Sequence, residues 1–151
     1  MNSNLVDFIS EKNIVMDLHA ETRDDAIHQL ALILEKNGSI SNSEDFYKDV
    51  LYRESLTTTG IGNNIAIPHG KSKSVINSTM LFAKNSKLLD WNSLDGSKVN
   101  VIFLMAVPIE SKGDEHLKML AKLSGKLMDD EFVKSIKEAK TTEDILKIIR
   151  D

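Results

Sequence analysis

The spacing of apolar and polar residues predicts a series of amphipathic helices. In the first long helix, Thr22 is the expected N-cap and Gly38 the expected terminator, and Ser43 is the expected N-cap of the second. The predicted helical segments are 4–10, 22–38, 43–54, 114–128, 130–139 and 141–149. In the helix at 114–128, the residues expected to face the core are Leu117, Leu120, Ala121, Leu123, Leu127 and Met128.

An unbroken apolar run at 101–107 predicts a strand that is covered on both faces. This strand is expected to cover 99–107 and to stop at Pro108. Shorter apolar runs at 14–18 and 78–83 predict two further strands. Helices that alternate with buried strands favour a single-domain α/β fold, a layered sandwich with helices on both faces of a sheet.

The composition favours one soluble domain over residues 1–151. The chain is 41% hydrophobic and 28% charged, and its length suffices for one core. No apolar run approaches the roughly 18 residues of a membrane span, and the amino terminus does not resemble a secretory signal. The absence of cysteine fits a cytoplasmic location. A net charge of -4 with only 5% aromatic residues argues against a nucleic-acid partner.

Candidate chemistry concentrates in one glycine-rich stretch that ends in a proline and a histidine. Pro68 restricts the backbone immediately before His69, which is expected to lie in a loop just past a short apolar strand. Glycines in this stretch permit positive φ angles or the close approach of a ligand. They are Gly60, Gly62 and Gly70.

A second histidine, His116, follows the strand end at Pro108. Ligands of α/β sheets bind at the carboxyl ends of strands, so the imidazoles of His69 and His116 are expected to meet if both strand ends lie on the same side. An imidazole with its ordinary pKa of about 6.5 is largely neutral in the cell, and its nitrogen can attack a phosphoryl group. His116, in the first turn of a helix, would stay neutral and donate an N–H to the anionic adduct.

An anionic adduct on His69 would need further donors. The planar guanidinium of Arg53 suits phosphoryl oxygens, and hydroxyl and backbone N–H groups of the glycine-rich stretch add to it. The residues expected to bind the group are Thr58, Thr59, Gly60 and Gly62.

Other interpretations of these residues stay open at this point. An isolated histidine or arginine is often a solvated surface residue, and His19 and His28 are expected on the surface. A metal held by the two strand-end histidines with Asp114 or Glu115 is disfavoured, because no tight H-x-x-x-H pair is present. The sequence also lacks a G-x-S-x-G elbow and a complete nucleotide-phosphate loop. No metal and no cofactor are therefore expected.

Several ordered motifs carry a family resemblance. They are Arg53-Glu54, Thr59-Gly60-Ile61-Gly62, Ile65-Ala66-Ile67-Pro68-His69, and residues 91–96, 102–108 and 113–118. Together they resemble the IIA domains of the bacterial phosphoenolpyruvate-dependent sugar phosphotransferase system, fructose and mannitol type (PTS EIIA type-2). The similarity spans nearly the whole chain.

The resemblance implies a role for each site residue. His69 would accept a phosphoryl group from the phosphohistidine of the phosphocarrier protein HPr and transfer it to a cysteine of a IIB component, with the membrane component IIC involved only indirectly. His116 and Arg53 would line the site, and the sheet would be mixed and mostly parallel. The fructose-type transport branch is favoured, and the alternative is a regulatory, nitrogen-type IIA module whose His69 phosphorylation controls a target protein.

Two positions raise specific structural expectations. Asn64 stands where the family usually has glycine, and asparagine tolerates the left-handed conformation well, so the loop is expected to be preserved. Gly125 falls inside a predicted helix and is expected to mark a close packing contact.

Overall fold

Strand β6, Val99–Pro108, lies at the centre of the sheet in the computed structural model, which describes residues 5–110 and 115–150. The other strands of this described part are β1 Ile14–Leu18, β2 Gly60–Gly62, β3 Ile65–Ala66, β4 His69–Ser72 and β5 Thr79–Leu89. The α-helices are α1 Arg23–Lys36, α2 Ser43–Leu56, α3 Glu115–Leu127, α4 Asp130–Glu138 and α5 Thr142–Arg150. Short 3₁₀ helices at Leu5–Asp7 and Glu11–Asn13 precede β1.

The described strands form one sheet in the order β1-β5-β6-β3-β2, with β4 also paired to β6. The pairs β1–β5, β3–β6 and β4–β6 are parallel, whereas β5–β6 and β2–β3 are antiparallel. Strands β3 and β4 therefore follow one another along the same side of β6. The sheet is mixed and mostly parallel, as predicted.

Successive residues of β6 face opposite layers, which explains the unbroken apolar run in its sequence. Ile102 and Leu104 pack with buried residues of α1 and α2. Phe103 and Met105 pack with buried residues of α3, α4 and α5. Helices thus cover both faces of the sheet, which confirms the predicted layered architecture.

The N-caps of the first two helices follow from short polar side chains. Thr22 Oγ1 accepts the N–H of Asp25 at 3.0 Å and caps α1, as predicted. For α2 the prediction of Ser43 is wrong by one residue, since Asn42 Oδ1 accepts the N–H of Asp45 at 3.1 Å. Ser43 is already helical, and its own N–H donates to the Glu35 carboxylate.

Helix α3 buries only part of the face that its sequence predicts, since Leu120, Leu123 and Leu127 are inward as expected. The buried or partly buried residues are Met119, Leu120, Leu123 and Leu127. The predicted inward residues that are exposed instead are Leu117, Ala121 and Met128. Apolar residues surround much of this helix, so its contacts with α4 and β6 decide which of them are buried. Gly125 lies on the exposed side, and apart from the neighbouring backbone of α3 no described atom lies within 4 Å of a Cβ position, so the expected packing contact is wrong.

Candidate functional site

Strand β4 carries the first site histidine. His69 begins β4 and pairs with Met105 of β6, so it lies in a strand and not in the predicted loop. The reason is that pairing with β6 continues past Pro68, whose carbonyl accepts the Met105 N–H at 3.0 Å. On the next residue, Gly70, an added Cβ would lie 2.7 Å from Val50 Cγ2, so only glycine allows α2 to pack this close to β4.

His116, in the first turn of α3, lies beside His69. The ring centroids are 5.0 Å apart and the ring planes are inclined by 46°, as expected if the two strand ends share one side of the sheet. The Nε2 atom of His116 is buried and has no hydrogen-bond partner within the described residues. Such an orphaned nitrogen costs about 1–3 kcal/mol. A ligand atom at this position could form the missing hydrogen bond with His116 Nε2.

Both imidazoles are held in the neutral form. Burial lowers the pKa of His69 most, and the hydrogen bond to the Ile67 carbonyl opposes it. Arg53 and His116 lower the pKa of His69 further, and Glu54 raises it. Burial also lowers the pKa of His116, with Lys71 and Arg53 acting in the same direction. At neutral pH each ring therefore keeps a lone pair on one nitrogen.

The hydrogen bonding of His69 selects the nitrogen that carries this lone pair. Its Nδ1 lies 3.1 Å from the carbonyl oxygen of Ile67. A carbonyl only accepts hydrogen bonds, so Nδ1 bears the proton and Nε2 of the neutral ring has the free lone pair. The sequence alone left this choice open.

Arg53, in the last turn of α2, is the described cation whose charge acts on both histidines. Its Nη1 donates to the Thr57 carbonyl at 2.9 Å, at the carboxyl end of its own helix. This end of a helix attracts a cation, so the position is favourable for an arginine even without a ligand. The side chain is partly exposed and has further N–H groups for an anion.

The predicted binding residues of the glycine-rich stretch are already engaged within the protein. Thr58 Oγ1 donates to the Trp91 carbonyl at 3.1 Å and accepts the Gly60 N–H at 3.1 Å. Thr59 Oγ1 donates to Glu54 at 2.5 Å. Gly60 and Gly62 form β2 and pair with β3. A phosphoryl-binding role for these four residues therefore stays a prediction, because it would require an exchange of partners.

A tight turn joins β2 to β3 within the same stretch. Asn63 and Asn64 have φ angles of 56° and 67°, and Gly62 has a φ angle of 107°. Two consecutive left-handed residues are the requirement of a short hairpin turn, and asparagine is well suited to it. The expected left-handed conformation of Asn64 is confirmed.

Two buried residues beside the site could not be recognised from the sequence. Glu54 is 5% exposed and Trp91 is 1% exposed, although a glutamate at the end of a helix usually points to solvent. Glu54 binds the N–H and hydroxyl of Thr59, and the Trp91 indole donates to the same hydroxyl oxygen at 3.3 Å. Only the fold reveals that these side chains meet.

The other histidines lie apart from the site. His28 bonds to Glu44 at 2.8 Å on the surface between α1 and α2, and His19 is exposed. Within residues 5–110 and 115–150, no group of three or more histidine, aspartate and glutamate side chains could hold a metal ion. In the same part of the chain no helix is both long and apolar enough to cross a membrane.

Comparisons with known proteins point to one family. A family model described as "Phosphoenolpyruvate-dependent sugar phosphotransferase system, EIIA 2" matches residues 7–151. The fructose-specific EIIABC component of the PTS system of Bacillus subtilis (strain 168) is 32% identical over 145 residues, which are 96% of this chain. The chain spans only 23% of the length of that relative.

Solved structures agree on the fold. The nitrogen regulatory protein IIA-Ntr from Neisseria meningitidis matches with a TM-score of 0.86 at 29% identity, over 95% of this chain and 97% of that one. The complex of enzyme IIAMTL and phosphorylated enzyme IIBMTL from Escherichia coli matches with a TM-score of 0.78 at 22% identity, over 93% and 96% of the two chains.

Proposed function

Because the chain belongs to the EIIA 2 family of the phosphoenolpyruvate-dependent sugar phosphotransferase system, we propose that its His69 accepts a phosphoryl group from one protein and transfers it to another. The observation that carries the proposal is the hydrogen bond from His69 Nδ1 to the Ile67 carbonyl. It leaves Nε2 as the nucleophile, next to a second neutral histidine and near a cation.

In the proposed reaction, the Nε2 lone pair attacks the phosphorus of a donor phosphohistidine. A nitrogen–phosphorus bond forms at His69 while the donor's bond breaks, and the donor nitrogen leaves with the bonding electron pair. In the second step a cysteine thiolate of the acceptor attacks the phosphorus, and the electron pair returns to Nε2. Neither step requires a metal or a cofactor to balance atoms and charge.

The neighbouring residues would stabilise the phosphoryl oxygens, Arg53 in both steps and His116 mainly in the onward transfer. The buried Nε2 of His116 lacks a partner among the described residues and would obtain one from a phosphoryl oxygen if it carries the proton. Arg53 would add a positive charge with several N–H groups. Positioned charges and donors act more strongly in a partly buried site than in water.

The partners follow from the family. We propose HPr, the small phosphocarrier protein, as the donor and a IIB component as the acceptor, with membrane-bound IIC receiving nothing directly from this chain. In support, one matching structure is a complex of a IIA with a phosphorylated IIB. The expected setting is the cytoplasm, and fructose-type uptake is the proposed pathway because a fructose-specific protein is among the relatives.

A labelling experiment tests the proposal. The chain is incubated with labelled phosphoenolpyruvate, the general phosphotransferase enzyme and HPr, and the adduct is expected to be acid-labile and base-stable. His69→Ala should abolish labelling. His28→Ala is the matched control, since its side chain lies on the α1–α2 surface, and it should be labelled normally. Label that persists in His69→Ala would disprove the assignment.

A regulatory role is the second candidate, and the match to a nitrogen regulatory protein favours it. Transfer from the phosphorylated chain to a panel of IIB proteins separates the two. Transport predicts rapid loss of label to at least one IIB cysteine. Regulation predicts that label stays on His69 and that affinity for a target protein changes with phosphorylation.

A further inference from the structure

Glu54 is a buried carboxylate that the transfer reaction does not use. It is 5% exposed, and its two oxygens accept the Thr59 N–H at 2.7 Å and the Thr59 hydroxyl at 2.5 Å. No salt bridge within the described residues includes it. Burying a carboxylate without a cation is costly even when it is hydrogen-bonded, so its presence beside the site requires a reason.

Hydrogen bonds connect this carboxylate to the ring of His69. Glu54 fixes Thr59, and the Thr59 carbonyl accepts the N–H of Ile67 at 3.0 Å. The Ile67 carbonyl in turn accepts from Nδ1 of His69 at 3.1 Å. The position of the carbonyl that selects the His69 tautomer therefore depends on the position of Thr59.

The same carboxylate lies next to the site's arginine in sequence and fixes the segment that the arginine binds. Arg53 Nη1 donates to the carbonyl of Thr57, two residues before Thr59. From the other side, the buried Trp91 accepts from Thr58 through its carbonyl and donates to Thr59 through its indole N–H. Residues 57–59 are thus held between Glu54 and Trp91.

We propose that Glu54 is a positioning residue for phosphoryl transfer: through Thr59 and Ile67 it holds His69 as the tautomer with the proton on Nδ1 and the lone pair on Nε2. The inference rests on the proposed function of His69. It assigns to the buried carboxylate the task of presenting one ring nitrogen to the phosphorus. Glu54 raises the pKa of His69, as expected of a carboxylate that acts on the ring.

Two substitutions of Glu54 separate its contacts from its charge. Glu54→Ala removes both hydrogen bonds to Thr59. Glu54→Gln can keep two contacts with Thr59, the second with reversed direction: its carbonyl accepts the Thr59 N–H, and its amide donates to the hydroxyl oxygen, which has two lone pairs. Glu44→Gln is the matched control, since it removes an exposed carboxylate that bonds to His28 and not to the site.

The tautomer of His69 is measured from the imidazole nitrogen chemical shifts in the unphosphorylated protein, and transfer is measured from HPr. For Glu54→Ala we expect the ratio of the Nδ1–H to the Nε2–H form of His69 to fall about tenfold. This is the effect of losing one hydrogen bond, the one from His69 Nδ1 to the Ile67 carbonyl, and the transfer rate should fall by a similar factor. Glu44→Gln should match wild type in both. An unchanged tautomer ratio in folded Glu54→Ala would overturn the proposal.

Glu54→Gln keeps the test decisive if the alanine variant does not fold. Its His69 tautomer should stay as in wild type while the His69 pKa falls, because only the negative charge is lost. A changed tautomer ratio in Glu54→Gln would overturn the proposal, because the contacts with Thr59 remain while only the charge is lost. These nitrogen shifts need no phosphoryl donor, so a wild-type chain that cannot be labelled would refute the proposed function without deciding the role of Glu54.

Discussion

At the scale of single residues, the orphaned Nε2 of His116 separates the two halves of the proposed reaction. We expect His116→Ala to accept label from HPr but to transfer it onward about tenfold more slowly, because one hydrogen bond of roughly 1.4 kcal/mol to the phosphoryl group is lost. Single-turnover transfer to a IIB component measures this. Leu117→Ala removes an exposed neighbouring side chain and serves as the control. Equal rates of onward transfer in wild type, His116→Ala and Leu117→Ala would exclude the role of His116.

The lowered pKa values of the two histidines also predict a pH dependence of stability. In the folded chain both values lie below the ordinary 6.5, so between the folded and unfolded pKa the unfolded chain binds more protons. The contribution of the two histidines to the free energy of unfolding is therefore fully present above about pH 6.5, and it falls as pH drops toward the folded pKa values.

Urea unfolding at pH 7.5 and pH 5 tests this dependence. Wild type should lose more unfolding free energy on acidification than the double variant His69→Gln with His116→Gln, because glutamine does not titrate. The difference between the two chains removes the contribution of the carboxylates, which they share. Parallel losses would show that the histidines keep their ordinary pKa in the folded state.

What the sequence could predict at this scale depends on how local the physical cause is. The meeting of His69 and His116 was predictable because each follows an apolar strand that ends at a proline. The left-handed Asn64 was predictable from its own side chain. The burial of Glu54 was not, because it depends on Thr59 and Trp91, which only the complete fold brings together.

At the scale of elements, replacing glycine by alanine is expected to have opposite effects on the free energy of unfolding at two positions. Gly70→Ala would bring a methyl group to 2.7 Å from Val50 and 3.0 Å from Phe46, and we expect a loss of about 1–3 kcal/mol in unfolding free energy. Because β4 would have to move away from α2, labelling of His69 should slow as well.

Gly125→Ala is the matched control for this prediction. Gly125 lies inside α3 with open space at the Cβ position, so alanine should stabilise the chain by up to about 1 kcal/mol through its higher helix propensity. Urea unfolding of both variants measures the two effects. An unchanged free energy of unfolding in Gly70→Ala would mean that α2 and β4 have room for an added methyl group.

Most helices and the strands β1 and β6 were predicted well, whereas β5 was predicted to end six residues too early, at residue 83 and not at Leu89, and β4 was not predicted. Strands β1 and β6 and helices α1, α4 and α5 begin and end within a few residues of their predicted bounds. Strand β4 has the sequence His-Gly-Lys-Ser, which has little intrinsic preference for a strand, and it is extended because β6 pairs with it. Helix α3 was predicted, but only half of the residues expected to face the core do so.

At the scale of the whole molecule, the site collects residues from both layers of the sandwich. Arg53 belongs to α2 on one face of the sheet, and His116 belongs to α3 on the other. A phosphoryl group bound by both would connect the two layers, so we expect phosphorylated chain to unfold at a higher temperature, by about 2–4 °C for each kcal/mol of interaction.

Calorimetry of the phosphorylated and unmodified forms tests this expectation. Arg53→Gln should reduce the rise in unfolding temperature because it removes the contact from α2. His28→Gln, which alters a surface contact between α1 and α2, should leave the rise unchanged. A phosphorylated wild type that unfolds at the temperature of the unmodified chain would argue against simultaneous contact with both layers.

The parallel pairing of β4 with β6 has a consequence for the newly made chain. His69 leaves the ribosome well before β6, and His116 follows later still, yet the setting of His69 needs both. A growing chain that has exposed its glycine-rich stretch therefore lacks the β6 partner and the His116 ring that surround His69 in the fold. Such distant pairings also form late in folding, since loop closure must precede them. We therefore expect HPr to label folded molecules faster than chains whose β6 and α3 have not yet been made.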